Sequence, residues 1–312
     1  AAVVGSLAYC WSDTFWFSAV EAEVYAMSSL FTAVVFWAML KWEDCAEQKY
    51  ANRWLVLIAF LMGLSIGVHL LNLLTIPALV FICYYKTHSR NVTLLKAFGV
   101  LCLSGVILAV ILFGIIPYLP RLAAFFDRIF VNGFGAKFNV GASIFMFLLL
   151  AVCFAALFLF RRKEKPLAHT ITLCFTTIVI GYSLFAITVI RSCAGTPTNE
   201  YQPDNPYTLI RYLGREQYGS NPILYGQAFT SPYEAEMTEY YTPLGDCYYK
   251  AENVVPIYPS AVKMLFPRMR NGFDQKDTEY YNTYCHSFRT KRVSLYDQMH
   301  TVKMPTFSDN LA

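Results

Sequence analysis

The stretch SDTFWFSAVEAEVYAM at residues 12–27, followed by the apolar LFTAVVFWAML at 30–40, decides the class of fold. Three carboxylates, Asp13, Glu21 and Glu23, stand at the start of what the following composition predicts to be a membrane span. A charge at the centre of a bilayer costs about 2.5–3.5 kcal/mol on insertion scales. We therefore expect these acids to lie at the membrane interface or to face a polar cavity.

The composition of the whole chain agrees with a membrane protein. Of its 312 residues, 56% are hydrophobic and 17% aromatic, and the mean hydropathy is +0.40, outside the range of ordinary soluble domains. The net charge of +4 is dispersed over short loops, so it indicates membrane orientation and predicts no nucleic-acid partner. The chain starts without a signal-peptide pattern and stops without a closing element, so we expect a fragment truncated at both ends.

Apolar runs predict six spans, at about 22–40, 54–68, 70–85, 94–116, 142–160 and 169–190. The second and third runs are nearly continuous, too long for one span and short for two. His69 and Asn72 lie between them and Pro77 follows, which favours two short helices that break near His69. Gly63 and Gly67, spaced four apart, predict close packing of two helices at this point.

Loop charges predict the orientation of these spans, because cytoplasmic loops carry an excess of Lys and Arg. Three loops then share the cytoplasmic side; their basic residues are Lys41, Lys49, Arg53, Lys86, Arg90, Lys96, Arg161, Arg162, Lys163 and Lys165. The opposite side receives the three acids, the His69 turn, the loop 117–141 and everything after Arg191. Apolar residues at helical spacing in that loop, with Arg121 and Arg128 on another face, predict an amphipathic helix on the outer membrane surface. Pro117 and Pro120 would begin this helix, and Asn132-Gly133 would end it.

The composition changes after Arg191, where most of the tyrosines and prolines fall. We therefore predict a transmembrane helical domain over 1–190 and a Tyr- and Pro-rich periplasmic or lumenal region over 191–312. A helix over 206–218, capped by Asn205, is its best local prediction. A short strand at 222–226 is expected, and beyond Ser231 only irregular structure with short elements.

Several polar residues are candidates for a site on the outer side. On one continuous helix, four polar residues would share a face, namely Glu21, Tyr25, Ser28 and Thr32, whereas Glu23 would point about 200° away from Glu21. The alternative is that both acids only favour the positive end of the helix dipole.

His69, at the outward break, is a candidate to bind a phosphate or an acid, and the alternative is a bond to a neighbouring backbone carbonyl. Arg211 and Arg215 project from one side of the predicted helix and could clamp a phosphate. The alternative is a solvated face with an intrahelical pair to Glu216.

Other residue types are less specific. The tyrosine doublets of the C-terminal region suit packing better than sugar stacking. Cys193, Cys247 and Cys285 allow one disulfide whose pairing stays open. Asn91-Val92-Thr93 matches a glycosylation sequon but falls in a predicted cytoplasmic loop. The sequence contains no pattern for a metal site, a phosphate-binding glycine loop or a nucleophile elbow.

These residues together resemble a family of multi-span proteins, domain of unknown function 2723, which includes the transmembrane protein 260-like protein O-mannosyltransferases. The matching stretches, in chain order, are Ala22-Glu23-Val24-Tyr25, Gly67-Val68-His69, Phe130-Val131-Asn132, Asn199-Glu200, Asp204-Asn205-Pro206, Tyr212-Leu213-Gly214-Arg215-Glu216-Gln217-Tyr218-Gly219 and Pro305-Thr306-Phe307-Ser308-Asp309-Asn310-Leu311. The resemblance departs at Gly214, where Asn is expected, and at Ala136-Lys137, where Leu-Pro is expected, which leaves the sugar and the acceptor open.

The resemblance implies a mainly α, polytopic membrane glycosyltransferase of C-type architecture, with a mixed extramembranous C-terminal region. Such an enzyme takes a sugar, here mannose as first candidate, from a polyprenyl-phosphate carrier and transfers it to a protein or glycan acceptor on the outer or lumenal face. The main catalytic acid of the family would lie before Ala1. Its partners would be membrane lipids, the lipid-linked sugar and the acceptor, in a bacterial inner membrane, and a divalent metal is left open.

We accordingly assign candidate roles to residues of this chain. Glu23, Glu21 and Asp13 are the candidate catalytic acids; His69, Arg215 and Arg211 are the candidate phosphate-binding residues; Tyr25, Asn72 and Asn132 are the candidate cavity-lining residues. One rival reading is a transporter or flippase of lipid-linked sugars, although polar residues cluster toward one side of the bilayer. The other is a non-catalytic envelope scaffold whose C-terminal region binds proteins.

Overall fold

The computed structural model describes residues 1–21, 23–88, 93–214, 216, 222, 224–267 and 274–308, and it forms two compact units, Ala1–Ile210 and Arg211–Ala312. The protein is mainly helical with small sheets in its C-terminal region, as the sequence predicts. The helices of the first unit are α1 Ala2–Cys10, α2 Asp13–Val20, α3 Tyr25–Cys45, α4 Asn52–Ile66, α5 Ile76–Thr87, α6 Leu94–Ala109, α7 Ile116–Phe134, α8 Val140–Arg162, α9 Pro166–Tyr182 and α10 Phe185–Cys193, and α11 spans Pro206–Leu213.

Helix α4 lies at the centre of the first unit and packs closely against α9. A Cβ on Gly181 of α9 would lie 2.6 Å from the backbone nitrogen of Leu64 and 2.7 Å from the carbonyl oxygen of Phe60. Gly63 of α4 is equally close to the backbone of Ile178. Gly63 of α4 and Gly181 of α9 therefore let two helix backbones meet, which confirms the predicted packing role of Gly63.

The buried core around this crossing is apolar and is shared by α3, α4, α5 and α9; its fully enclosed members include Val35, Ala38, Met39, Leu73 and Val179. The outer faces of the helices are also apolar. On α8, for example, Phe147, Val152 and Phe158 are each more than half exposed. A helix that is apolar all round is typical of a lipid environment.

Four stretches of the described residues are long and apolar enough to cross a membrane: Leu70–Thr87, Leu94–Gly133, Val140–Arg162 and Pro166–Cys193. Helices α2 and α3 together would make a fifth, and α4 is a shorter apolar helix. The protein is therefore an integral membrane protein.

The predicted break near His69 is present. Helix α4 ends at Ile66, and a 3₁₀ turn over Leu70–Thr75 leads into α5. His69 itself is extended, with φ −162° and ψ 140°, so the chain changes direction at this residue. Pro77 falls in the first turn of α5, where its missing N–H costs nothing.

The prediction for residues 94–141 differs from the structure in one respect. Pro117 and Pro120 do not begin a separate surface helix, because α6 runs through a π turn at Val110–Ile115 directly into α7. At 1.5 Å per residue, the 40 residues of Leu94–Gly133 span about 60 Å, twice the ~30 Å hydrocarbon core. The continuous helix is therefore longer than one apolar span needs, and α7, its more polar half, supplies the excess length.

A hydrogen bond explains how α7 tolerates Pro120 inside it. Proline has no N–H, so the carbonyl of Ile116, four residues earlier, loses its helical partner. The hydroxyl of Tyr182, in α9, donates to that carbonyl at 2.9 Å. Tyr182 is 4% exposed, so the bond fixes α9 against the bend in a water-poor site.

The second unit contains three two-stranded antiparallel sheets among its described residues, which corrects the expectation of irregular structure beyond Ser231. Their strands are β1 Tyr225–Gln227, β2 Glu234–Leu244, β3 Cys247–Ile257, β4 Lys263–Leu265, β5 Phe288–Leu295 and β6 Gln298–Pro305, and α12 spans Gln275–Tyr284. The strands pair β1 with β4, β2 with β3 and β5 with β6. A small core forms where Val262 is enclosed by Ala228, Val293, Leu295 and Met304.

A tight turn joins the two strands in each of the two long hairpins. Leu244 pairs with Cys247, which leaves Gly245 at φ 59° in the turn. Leu295 pairs with Gln298, and both intervening residues, Tyr296 and Asp297, have positive φ values of 47° and 61°. A two-residue turn of this kind matches the right-handed twist of its strands, although a Tyr in the left-handed region is unfavourable.

Candidate functional site

The three acids of residues 12–27 do not lie on one continuous helix with Tyr25, which corrects the angular argument made from the sequence. Helix α2 ends at Val20, and Glu21 is extended with φ −72° and ψ 149°. Glu21 and Glu23 therefore lie in the connection before α3, and Asp13 lies in the first turn of α2. All three are exposed, and within the described residues none forms an ion pair.

His69 starts the 3₁₀ turn between α4 and α5 and caps it. Its Nδ1 accepts a hydrogen bond from the backbone N–H of Leu71 at 3.1 Å. In the neutral ring the proton then resides on Nε2, which is left as a donor toward a bound group. The imidazole is half-buried and lies 5.5 Å from the ring of Tyr25, at the start of α3.

Asn72 is fully buried beneath this turn and joins three elements. Its Nδ2 donates to Ser65 Oγ at 3.0 Å and to Met62 Sδ at 3.2 Å, and its Oδ1 accepts from Thr32 Oγ1 at 3.2 Å. Polar bonds between helices in lipid are typically modest, about 0.6 kcal/mol each. The network therefore fixes orientation more than it stabilises, and it holds the His69 turn against α3 and α4.

A groove of about 480 Å³ opens beside this network, between α3, the 3₁₀ turn and α5. Its walls are Tyr9, Ser29, Thr32, Ala33, Phe36, Leu71, Leu74, Thr75 and Ala78. Two of the wall hydroxyls belong to the network, since Thr32 bonds to the Asn72 side chain and Thr75 donates to the Asn72 carbonyl at 2.7 Å. Its volume falls within the usual range for small-molecule sites, about 300–1,000 Å³.

One further hydroxyl lies beside this groove and network. Ser28 is 1% exposed, and its Oγ makes no hydrogen bond within the described part of the chain. Ser28 lies one turn before Thr32, whose hydroxyl bonds to the Ser28 carbonyl at 3.0 Å. A buried hydroxyl without a hydrogen-bond partner is unusual. Together with Thr32, it gives the first half of α3 a polar face within an apolar bundle.

A second polar cluster, missed by the sequence analysis, joins α7 to α8. Asp127 of α7 is fully buried, and its carboxylate accepts the backbone N–H groups of Asn139 at 3.0 Å and Ala142 at 3.1 Å. These are groups at the N-terminus of α8, where a carboxylate is favoured by the free donors and by the helix dipole. Gly141 permits this approach, because a Cβ there would lie 2.5 Å from Cα of Asp127.

The same cluster extends to the segment before α11. The side chain of Asn139 donates to the carbonyl of Asp204 at 2.8 Å. Asn205 caps α11, since its Oδ1 accepts the N–H groups of Tyr207 at 3.0 Å and Thr208 at 3.1 Å. The predicted cap is thus confirmed, whereas the helix ends at Leu213 in the structure and residues 217–218 lie outside the described residues.

The predicted phosphate clamp falls in the second unit. Arg211 Nε binds Glu216 Oε2 at 3.0 Å, and its guanidinium lies 5.1 Å from the ring centre of Tyr240. The structure thus contains a pair to Glu216, but α11 ends at Leu213, so the pair is not the intrahelical one that the alternative reading expects. Arg215 lies outside the described residues, so the role of the two arginines stays a prediction.

The remaining candidates occupy varied positions. Asn132 lies in the last turn of α7 and is exposed, so its cavity-lining role also stays a prediction. The sequon asparagine, Asn91, lies outside the described residues. None of the nine cysteines, which all lie within the described residues, forms a disulfide; Cys193 and Cys247 are exposed and Cys285 is buried. Among the described residues, no group of three His, Cys, Asp or Glu side chains could hold a metal ion.

The fold and this site define a polytopic helical membrane protein with a largely apolar groove, which carries a few hydroxyl groups, at one break of its bundle. Residues 1–93 match the family described as the protein O-mannosyl-transferase TMEM260 N-terminal domain. This match supports a relation to TMEM260-like proteins and suggests a glycosyltransferase. Residues 219–312 match a family of unknown function, DUF8416. No curated protein and no solved structure matches the chain significantly.

The extent of the first match bears on the site. The groove walls, His69, Asn72 and the three acids all lie within residues 1–93. Arg211 and Arg215 lie in neither matched segment. The residues at the His69 break are therefore the ones to which the similarity applies.

Proposed function

We propose that this chain is part of a membrane glycosyltransferase of C-type architecture. It transfers a sugar, with mannose as the first candidate, from a polyprenyl-phosphate carrier to a hydroxyl of a protein or glycan acceptor on the outer or lumenal face. The observation that carries the proposal is the coincidence of two facts. The segment similar to an O-mannosyltransferase domain is the one that contains the apolar groove, the His69 turn and the three exposed acids.

The groove suits the lipid part of the carrier. Its walls are largely aliphatic and aromatic, and an isoprenoid chain offers only apolar surface, so the isoprenoid can pass from the surrounding lipid into the groove by van der Waals packing without burying an unpaired polar group. The carrier phosphate would then lie at the polar end of the groove, near the His69 turn. Nε2 of His69, whose Nδ1 is already occupied by Leu71, donates to a phosphate oxygen in this arrangement.

The transfer step is a displacement at the anomeric carbon of the sugar. The acceptor oxygen forms a bond to that carbon while the bond from the carbon to the phosphate oxygen breaks, and polyprenyl phosphate leaves. A carboxylate accepts the proton of the acceptor hydroxyl. Glu23, the acid within the family-like Glu-Val-Tyr, is the first candidate to position the acceptor, followed by Glu21 and Asp13.

The proposal is tested by incubating the full-length protein, in membranes, with polyprenyl-phosphate [³H]mannose and following both loss of the donor and label on acceptor protein. A carboxylate that acts as base contributes about 10²–10⁴-fold, so Glu23→Gln lowers the rate by that factor if Glu23 is the base, and by about tenfold if it only positions the acceptor. His69→Ala raises the donor KM.

Two matched variants separate these effects from general damage. Glu47→Gln removes an exposed acid after α3, and His169→Ala removes a histidine in the first turn of α9. Both leave the transfer rate unchanged. Folded protein that consumes no lipid-linked sugar contradicts the proposal, and transport of intact carrier into liposomes without hydrolysis or transfer favours a flippase instead.

A further inference from the structure

The hairpin of β2 and β3, which we call the ribbon, buries neither of its faces over part of its length. Residues 235–239 and 252–255 are all exposed, although successive side chains of a strand point to opposite faces. Met237 and Val254 pair directly and are 70% and 58% exposed. A two-stranded ribbon without a covered face is only marginally stable alone in water, so this element is suited to gain order from a partner.

The register shows which backbone groups point outward from the ribbon. Pro243 and Pro256 have no N–H and pair with Tyr248 and Ala235, so these two pairs cannot be of the hydrogen-bonded kind. The N–H of Ala235 accordingly donates to the Tyr296 hydroxyl at 2.6 Å and not to β3. Every second residue therefore points its backbone groups away from the partner strand, starting at Ala235 on β2 and running back from Pro256 on β3.

The two edges of the ribbon differ. On β2, the outward N–H of Ala235 is already bound to Tyr296. On β3, the outward-facing backbone of Lys250, Glu252 and Val254 forms a continuous stretch that ends at Pro256. In the described residues this sheet has two strands, so the β3 edge offers consecutive donors and acceptors for a third.

The ribbon is acidic although the chain is basic. Residues 234–257 carry five acids, Glu234, Glu236, Glu239, Asp246 and Glu252, against the single base Lys250, a net charge of −4. The whole chain has a net charge of +4. Lys250 is paired with Glu239, and in the part of the chain that the structure describes neither Glu236 nor Glu252 has an ion-pair partner.

We propose that the β3 edge of the ribbon binds an extended, basic segment of another polypeptide as an added strand. Main-chain bonds to Glu252 and Val254 would supply affinity, and alternate Lys or Arg side chains of the partner would meet the glutamates. A second copy of this ribbon is a poorer occupant, because it would bring four negative charges against four. An anionic membrane surface is disfavoured for the same reason.

The binding test uses the full chain in an uncharged detergent and a fluorescein-labelled peptide of four Lys-Val repeats. Fluorescence anisotropy measures its affinity, and the same peptide with Glu in place of Lys is the charge control. The Lys-Val peptide binds, and its affinity falls as salt is added, whereas the Glu-Val peptide does not bind. Hydrogen exchange of the amides of Glu252 and Val254 slows when the Lys-Val peptide is bound.

Two pairs of variants locate the site. Val254→Pro removes an outward N–H from the β3 edge and raises Kd at least tenfold, whereas Met237→Pro, directly opposite, removes one from the β2 edge and leaves Kd unchanged. Glu252→Lys raises Kd at least tenfold, whereas Glu279→Lys, in α12, does not. Unchanged hydrogen exchange within the hairpin ladder shows that each variant remains folded.

Equal binding of the two peptides, or equal effects of Val254→Pro and Met237→Pro, would overturn the proposal. Light scattering that finds a dimer of the chain dissociated by Val254→Pro would assign the edge to a second copy instead. Glu252-dependent binding to vesicles of anionic lipid would assign it to the membrane. None of these outcomes depends on transferase activity, so this proposal is tested independently of the proposed function.

Discussion

Replacement of Asp127 is expected to detach the start of α8 from α7. The carboxylate accepts two backbone N–H groups, at 3.0 and 3.1 Å, in a fully buried place. A hydrogen bond to a charged group contributes about 1.5–3 kcal/mol net. Asp127→Ala removes both bonds and leaves two half-buried donors without their acceptor, so we expect a loss of about 3–5 kcal/mol in the free energy of unfolding.

Asp127→Asn is the informative comparison, because it changes charge with little change of shape. The amide has one oxygen and can accept one of the two bonds, while its NH₂ group faces the second donor. It also loses the attraction of a charge to the helix N-terminus, about 0.3–1 kcal/mol and up to ~2 when partly buried. We therefore expect a loss of about 2–3 kcal/mol, clearly smaller than that of Asp127→Ala.

The measurement is equilibrium unfolding in mixed micelles titrated with sodium dodecyl sulfate, together with hydrogen exchange at the amides of Asn139 and Ala142. Both variants speed exchange at these two amides before the rest of α8 is affected. The reasoning is refuted if the two variants lose the same free energy, or if neither changes exchange at the start of α8. Faster exchange at Ala142 alone would show that the bond to the Asn139 N–H does not protect this amide.

Three further predictions concern packing, a bend and an ion pair. Gly181→Leu forces the α4–α9 crossing apart and costs about 1–3 kcal/mol of unfolding free energy. Gly105→Leu, with open space around it, costs none in the same titration, because Leu is more favourable than Gly inside a helix. Tyr182→Phe loses one interhelical hydrogen bond and costs about 0.6–1.7 kcal/mol; no loss would mean that the bond is idle. The hydrogen bond to Glu239 raises the pKa of Lys250, so their attraction is present below the ordinary lysine pKa and fades as pH rises through the raised value; Glu239→Gln lowers the Lys250 pKa in an NMR titration, and an unchanged value contradicts the pairing.

The break at His69 could be read from the sequence because several local signals agree there. An apolar run of the wrong length for one or two spans, polar residues at its centre and a following Pro77 all point to a turn. The role of Gly63 was predictable for a similar reason, since a missing side chain in an apolar helix has few uses other than close packing. Local chemistry decides such features.

Asp127 could not be identified in the same way. A single acid among the Phe, Ile and Arg of α7 reads as part of a polar face, and its partners are backbone amides twelve and fifteen residues later. Backbone amides carry no sequence signature. The signal that was available, an Asp in a helix followed by a Gly near the start of the next, is too common to assign a cap across helices.

The continuity of α6 and α7 was misjudged from the prolines. Pro117 and Pro120 normally mark helix ends, and the compensating hydroxyl of Tyr182 lies 66 residues away in sequence. The long hairpins of the second unit were missed because β2 does not show strict alternation of apolar and polar residues. A ribbon exposed on both faces gives no periodic pattern to detect.

The bond between Tyr182 and Ile116 also bears on how the chain is assembled. During synthesis Ile116 is made 66 residues before Tyr182, so for that interval the carbonyl freed by Pro120 lacks its final partner. A backbone group without a partner in lipid costs several kcal/mol. The π turn and α7 therefore reach their final geometry late, when α9 enters the membrane, and a nascent chain halted between these residues would hold the bend unfinished, exposed to the quality-control proteases of the membrane.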